Sequence, residues 1–158
     1  MAGVSNTSPL RYLVVIGLAD LLPEVLGPIV IPQGVESELS HPSAPEPVRK
    51  WLTAKPAWLS VKIVGEPDAE LSAWLDRGEA EAIVLAIETG PDFLLMDERK
   101  GRRLAEEWGL AVIGALGVLL EASRRGLVDQ PMQVLDQLKP AGFRASNRLV
   151  DEFIARLK

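Results

Sequence analysis

The chain has 158 residues, of which 47% are apolar, and its 17 basic and 22 acidic side chains give a formal net charge of −5. This apolar fraction excludes a disordered chain, and the absence of cysteine excludes a disulfide-stapled secreted module. We predict a single domain over residues 1–158. The longest apolar stretch, residues 110–120, is shorter than the roughly 18 residues that span a bilayer, and the first ten residues lack a signal-peptide pattern. We therefore expect a cytoplasmic protein with no membrane association.

The charge is unevenly distributed along the chain. Residues 1–98 carry a net charge of −9, whereas residues 99–158 carry +4. A pI near 5.0 argues against a protein coated in positive charge and bound indiscriminately to nucleic acid. The basic side chains that follow residue 98 are then either the solvated faces of amphipathic helices or a local basic surface beside a phosphate site.

Short apolar runs alternate with helical patterns in the first half of the chain. A strand is predicted before Asn6, and Ser8 is predicted to cap a helix whose first position is Pro9. The elements that follow are a helix at 18–26, a strand at 28–32, helical turns at 33–40, a proline-rich loop at 41–47 and a helix at 48–54.

The same alternation continues in the second half. Strands are predicted at 59–64, 93–96 and 111–113, and helices at 68–76, 79–89, 99–108, 116–125, 131–138 and 147–157, the last capped by Ser146. Parallel strands need crossover helices and become buried on both faces. The predicted fold class is therefore α/β: a three-layer α/β/α sandwich with a central, mostly parallel sheet of four to five strands.

Polar residues follow the predicted strands at the sheet edge where ligands bind in such folds. Asn6 and Asp97 come directly after strands, while Glu38 and Glu79 lie on helices that begin near the same edge. Carboxylates without cysteine, and with a single histidine, suit magnesium or manganese rather than zinc or copper. The alternative is that each acid only stabilises the N-terminal end of a helix.

Four motifs in order resemble the PIN-domain family, in particular its VapC-like bacterial and archaeal branch. The resemblance covers most of residues 3–128. The motifs are Ser-Asn-Thr-Ser-Pro-Leu at 5–10, Ile-Pro-Gln-Gly-Val-Glu-Ser-Glu-Leu at 31–39, Gly-Glu-Ala-Glu-Ala-Ile at 78–83 and Leu-Leu-Met-Asp-Glu-Arg-Lys-Gly-Arg at 94–102.

The resemblance implies a divalent-metal-dependent endoribonuclease that hydrolyses RNA with a metal-activated water, Mg²⁺ or Mn²⁺ being the cofactor. Many family members are toxins restrained by a small antitoxin protein, and the family tends to form homodimers. Asn6 stands where the family has its first Asp, Glu38 matches the second acid and Asp97 the last. The third acid is either Glu79 or Glu81. Glu79 matches the Gly-Glu-x-x-Ala-Ile form of this branch, whereas Glu81 fits the Asp-Ala-x-x-x-Ala register of the toxins. Residues two apart on a helix are separated by about 200°, so both are not expected to reach one ion. We favour Glu79.

Asn6 is the main departure from the family pattern. Its neutral amide oxygen can still bind a hard cation, but more weakly than a carboxylate. The alternative function is therefore a catalytically weakened module that binds nucleic acid or an antitoxin. A third alternative is a flavodoxin-like binder of a nucleotide or small ligand, which would not need Asp97.

Basic residues directly after Asp97 are candidates for contact with an RNA backbone beside the acids. Ser8 is a weaker candidate, since its main predicted role is as a helix cap. The basic candidates are Arg99, Lys100, Arg102 and Arg103.

Overall fold

Five parallel strands form one sheet in the computed structural model, which describes residues 2–158. The strand order is β3-β2-β1-β4-β5, and every neighbouring pair is parallel. This confirms the predicted α/β class with a parallel sheet. The strands are β1 (Gly3–Ser5), β2 (Ile29–Pro32), β3 (Leu59–Lys62), β4 (Phe93–Leu95) and β5 (Val112–Ile113).

Helices connect the strands and follow the last one. The first five are α1 (Thr7–Val15), α2 (Leu21–Leu26), α3 (Gln33–Ser40), α4 (Glu46–Thr53) and α5 (Ala69–Trp74). The others are α6 (Arg77–Thr89), α7 (Arg99–Glu107), α8 (Ala115–Arg124), α9 (Pro131–Leu138) and α10 (Asn147–Leu157).

Alternate strand residues supply two apolar cores, one on each face of the sheet. Ile31 and Leu95 pack with α1, α2, α4 and α8 in one core. Val4 and Leu94 pack with α5, α6 and α7 in the other. A third cluster joins α8 to α9 and α10. The sheet therefore lies between two helical layers, with an additional helical pair at the C-terminal end.

Most predicted boundaries agree with the structure to within a few residues. Helices α3, α9 and α10 have the predicted bounds, and the Ser146 side chain accepts a hydrogen bond from the Leu149 N–H as a cap. Gly27, which has a positive φ of 74°, ends α2, as predicted, because glycine adopts positive φ values without a steric penalty.

The predicted Ser8 cap is wrong. Helix α1 begins at Thr7, and the extended residue before it is Asn6, so Ser8 lies inside the first turn. Pro9 is the third helical residue, which the helix tolerates because the first four N–H groups have no intrahelical acceptor.

No helix within residues 2–158 is long and apolar enough to cross a membrane.

Candidate metal and nucleic-acid site

Strands β1 and β4 bring Asn6 and Asp97 to the same edge of the sheet. Ser5 pairs with Leu95 in the parallel register, and the Asn6 N–H donates to the Leu95 carbonyl oxygen at 2.9 Å. Asn6 follows β1 directly and Asp97 lies two residues beyond β4. The edge predicted for ligand binding is thus the one that carries both side chains.

Helix α3 carries Glu38 to the first turns of α1 and α6. The Thr7 hydroxyl donates to Glu38 Oε2, and the Gly78 N–H donates to Oε1 at 3.3 Å. Burial raises the pKa of Glu38 above its ordinary value of 4.5. Glycine at position 78 leaves room for this carboxylate, because a Cβ there would lie 2.6 Å from Glu38 Oε1.

Glu79 lies in the first turn of α6, in a capping box with Asp76. The Glu79 N–H donates to Asp76 Oδ1 at 2.8 Å, and the Asp76 N–H donates to Glu79 Oε1 at 3.4 Å. The second oxygen, Oε2, is buried without a hydrogen-bond partner, and a Cβ on Gly101 of α7 would lie 3.3 Å from it. Burial, then the hydrogen bond and charge of Asp76, raise the pKa of Glu79 to about 8.

Glu81 has a different role, although it lies only two residues further along α6. The Gly34 N–H donates to its Oε1 at 2.9 Å, and Arg77 Nε donates to its Oε2 at 2.7 Å. Its side chain is only 11% exposed. Both oxygens of Glu81 are therefore bonded, Oε1 across to α3 and Oε2 within α6.

The Asp97 carboxylate bonds with the first N–H of α8. The Ala115 N–H donates to Oδ1 at 3.0 Å, which places negative charge at the positive end of that helix. The other oxygen, Oδ2, is buried and has no hydrogen-bond partner. Burial raises the pKa of Asp97 from 3.8 to about 6, although the Ala115 hydrogen bond and the Arg102 charge oppose the shift.

Asn6 is buried among these elements, with 3% of its surface exposed. Its amide oxygen Oδ1 has no hydrogen-bond partner. Leaving such an oxygen unpaired costs free energy of about 1–3 kcal/mol. Asn6, Glu79 and Asp97 thus each hold one buried oxygen that the rest of the described chain does not satisfy.

Unpartnered buried oxygens are the donor type that hard divalent cations bind, so the donor set fits Mg²⁺ or Mn²⁺. The carboxylates do not form a preformed cage, however. Within residues 2–158, no three acidic or histidine side chains are arranged as a group that could hold a metal ion. The structure brings Glu38, Glu79 and Asp97 to one end of the sheet without bringing them around one point.

A cleft of about 1170 Å³ opens beside Asp97, between α7, the start of α8 and α10. Arg99, Arg102 and Arg103 line it, whereas Lys100 lies over the Trp74 ring at 5.2 Å. Ser8 is half-buried in α1. Three of the four basic residues predicted from the sequence therefore line the cleft beside Asp97, and the acidic Glu98, Glu106 and Glu107 line it with them.

Sequence reasoning missed some residues of this region. Arg144 and Arg156 also line the cleft, but they come from distant parts of the chain and no local pattern places them there. Asp76 could have been found, because an acid three residues before Glu79 is a capping-box pattern.

A family model described as PIN domain matches residues 2–158, almost the whole chain. The protein belongs to the PIN-domain family. The structure of a PilT N-terminus domain protein from the hyperthermophilic archaeon Sulfolobus solfataricus P2 has a similar fold, with a TM-score of 0.52 and 14% identity, over 93% of this chain and 98% of that one. No curated protein matches the sequence. The predicted family is confirmed. PIN domains have, in general, a nuclease fold and use divalent metal ions.

Proposed function

We propose that this PIN domain is a divalent-metal-dependent endoribonuclease that hydrolyses RNA phosphodiesters. The observation that carries the proposal is the set of buried, unpartnered oxygens on Asn6, Glu79 and Asp97. Buried polar atoms are almost always satisfied in folded proteins, so three such atoms at one end of the sheet need an explanation. A cation and its hydration water would supply the missing partners.

The proposed ligands are Asp97 and Glu79, together with Glu38 and the weaker donor Asn6. Asp97 is the best oriented, because the Ala115 N–H fixes Oδ1 and leaves Oδ2 available. Glu81 is not included, since both of its oxygens are bonded within the α3–α6 contact.

A divalent cation supplies acidification of water and stabilisation of negative charge on phosphodiester oxygens. In the reaction, a water oxygen bonds to phosphorus, the bond to one ribose oxygen breaks, and that oxygen takes up a proton. The three α7 arginines that line the cleft, Arg99, Arg102 and Arg103, would hold the negatively charged backbone beside the acids. Lys100 and Ser8 are further candidates for backbone contacts.

The alternative function is an RNA- or antitoxin-binding module with weakened catalysis. It is favoured by Asn6, whose neutral side chain is buried where the family pattern has a carboxylate. The substitution Asn6→Asp adds one charged metal ligand at this position, so its effect on cleavage distinguishes the two functions.

The experiment is a cleavage assay with single-stranded RNA in Mn²⁺ or Mg²⁺, using the natural protein, Asn6→Asp and Asp97→Asn. Metal-dependent cleavage by the natural protein that Asp97→Asn abolishes supports the nuclease. Cleavage by Asn6→Asp alone supports the weakened module. If neither protein cleaves RNA in either ion, the nuclease proposal is wrong.

We further propose that the protein assembles, as a homodimer and with a small antitoxin protein. Support comes from large apolar side chains left in contact with solvent: Ile63 is 74%, Trp74 61% and Trp108 52% exposed. Light scattering of the purified protein at several concentrations tests the dimer, and a monomer mass throughout would contradict it.

A further inference from the structure

Arg102 differs from the other basic residues of α7 in how firmly it is held. Its Nη1 donates to the Met96 carbonyl oxygen at 3.0 Å, and the residue is half-buried. Arg99, Lys100 and Arg103 are exposed. Fixing a long side chain in advance removes part of the entropy that binding would otherwise cost, so Arg102 is the cation of this segment best prepared for a ligand.

Gly114 brings the Arg102 guanidinium and the Asp97 carboxylate against the same backbone atom. A Cβ at position 114 would lie 2.5 Å from Asp97 Oδ1 and 2.7 Å from Arg102 Nη1. Glycine is therefore required here because two charged groups approach its Cα closely. The Arg102 charge also lowers the pKa of Asp97, against the effect of burial, which is consistent with this proximity.

The guanidinium retains donors that the protein does not use. Arginine has five N–H donors in a planar fork, and the hydrogen bond to Met96 occupies one of them. Within residues 2–158, the five ion pairs involve other side chains and none includes Arg102. Arg102 lines the large cleft together with Asp97, so a ligand in this cleft can reach both groups.

We propose that Arg102 is a phosphate clamp that binds the non-bridging oxygens of the RNA phosphodiester lying beside Asp97. Two parallel N–H groups of its planar guanidinium can bind two phosphate oxygens at once, which a lysine ammonium cannot do. Arg99 and Arg103 contact the backbone further along the cleft as mobile surface charges. This inference rests on the proposed function and assigns within it the residue that positions the phosphodiester next to the acids.

The test is equilibrium binding of a fluorescently labelled single-stranded RNA in EDTA at low salt, with fluorescence anisotropy as the measure of binding. The variants are Arg102→Gln, Arg102→Lys, Arg103→Gln and Arg148→Gln. Arg148 serves as a charge-matched control, because it lies on α10 with an 88% exposed side chain outside the cleft lining. Melting temperatures of all variants show whether each one folds.

We expect Arg102→Gln to weaken RNA binding about tenfold or more and Arg103→Gln about two- to threefold, with Arg148→Gln unchanged. Arg102→Lys keeps the charge but loses the fork, so it should recover less than half of the lost binding free energy. In the cleavage assay with Mn²⁺, Arg102→Lys should lower kcat more than it raises KM, because a misplaced phosphate reacts slowly.

The possible failures are distinguishable. Equal losses for Arg102→Gln and Arg103→Gln, or full recovery by Arg102→Lys, would overturn the clamp and leave the nuclease proposal standing. If the natural protein binds no RNA in EDTA, the clamp is wrong, and the cleavage assay in Mn²⁺ or Mg²⁺ decides the nuclease proposal separately. If Arg102→Gln does not fold, the RNA affinities of Arg102→Lys and Arg103→Lys are compared instead. Equal affinities of these two variants overturn the clamp.

Discussion

Glu79 and Glu81 lie two residues apart on α6, yet their surroundings are opposite in kind. Glu81 has both oxygens bonded, to the Gly34 N–H and to Arg77, in the contact between α3 and α6. Glu79 keeps one buried oxygen unpartnered, as do Asn6 and Asp97 at the same end of the sheet. The first region is arranged for stability. The second, which we call the open-oxygen edge (Asn6, Glu79 and Asp97), retains an unfavourable arrangement that a cation would relieve.

The largest expected effect comes from Asp97→Asn. The asparagine Oδ1 can still accept from the Ala115 N–H, but the charged donor is lost, so we expect Mn²⁺-dependent RNA cleavage to fall about 100-fold or more. The metal-free variant should be at least as stable as the natural protein, because an unpaired buried charge is removed. Cleavage rates and urea unfolding measure the two effects.

Removing the charge of Glu81 should have the opposite consequences, lower stability and nearly unchanged metal binding. Glu81→Gln removes the charge that pairs with Arg77, and we expect unfolding free energy to fall by about 1–3 kcal/mol, with divalent-ion affinity changed by less than about threefold. Urea unfolding and calorimetry measure these quantities. A Glu81→Gln protein that is fully stable but unable to bind metal would show that Glu81 is a metal ligand and not a stabilising contact.

The pH dependence of stability should come mainly from the open-oxygen edge. Folding raises the pKa of Asp97 from 3.8 to about 6 and that of Glu79 from 4.5 to about 8. The folded state therefore holds these protons more tightly than the unfolded state, and the stability they contribute is present at low pH and lost as pH rises through the folded values. At about 1.4 kcal/mol for each pKa unit, we expect the metal-free protein to lose about 3 kcal/mol from Asp97 between about pH 4 and about pH 6, and a further amount, reduced by solvent screening, from the half-buried Glu79 up to about pH 8.

Urea unfolding at a series of pH values, with EDTA present, measures this loss. Asp97→Asn is the control, and it should flatten the part of the curve below about pH 6. A natural protein whose stability rises steadily over the same interval would show that these carboxyls are satisfied in the folded state.

The smallest expected effect concerns Gly114, which lies against both the Asp97 carboxylate and the Arg102 guanidinium. Gly114→Ala should destabilise the protein by about 1–2 kcal/mol, because its Cβ would collide with both charged groups. Gly65→Ala is the control, since no atom lies within 4 Å of a Cβ there. Equal melting temperatures for the two variants would show that the groups around Gly114 can move apart freely.

Much of the fold could be predicted because local signals agree with the tertiary structure. Short apolar runs that alternate with helical patterns predict the parallel sheet, and Gly27 marks the end of α2. The predicted start of α1 is wrong because the prediction places Pro9 at the first helical position, where proline is common, whereas Pro9 is the third residue of the helix. The deciding factor is that β1 ends at Ser5, which leaves only Asn6 extended before the helix.

The positions of the site residues could be predicted, but not their hydrogen bonding. Asn6 and Asp97 were placed by the ends of strands, a local property of the sequence. The distinction between Glu79 and Glu81 depends on contacts with Gly101 and Gly34, which belong to other helices. The second wall of the cleft, with Arg144 and Arg156, likewise depends on how α10 packs against α8.

The central claim is that the open-oxygen edge binds a divalent cation and the Glu81 contact does not. Calorimetric titration of Mn²⁺ into the natural protein, Asp97→Asn and Glu81→Gln tests it most directly. The account predicts saturable binding by the natural protein and by Glu81→Gln, and its loss in Asp97→Asn. Absence of saturable binding to the natural protein at millimolar Mn²⁺, or undiminished binding by Asp97→Asn, would contradict it.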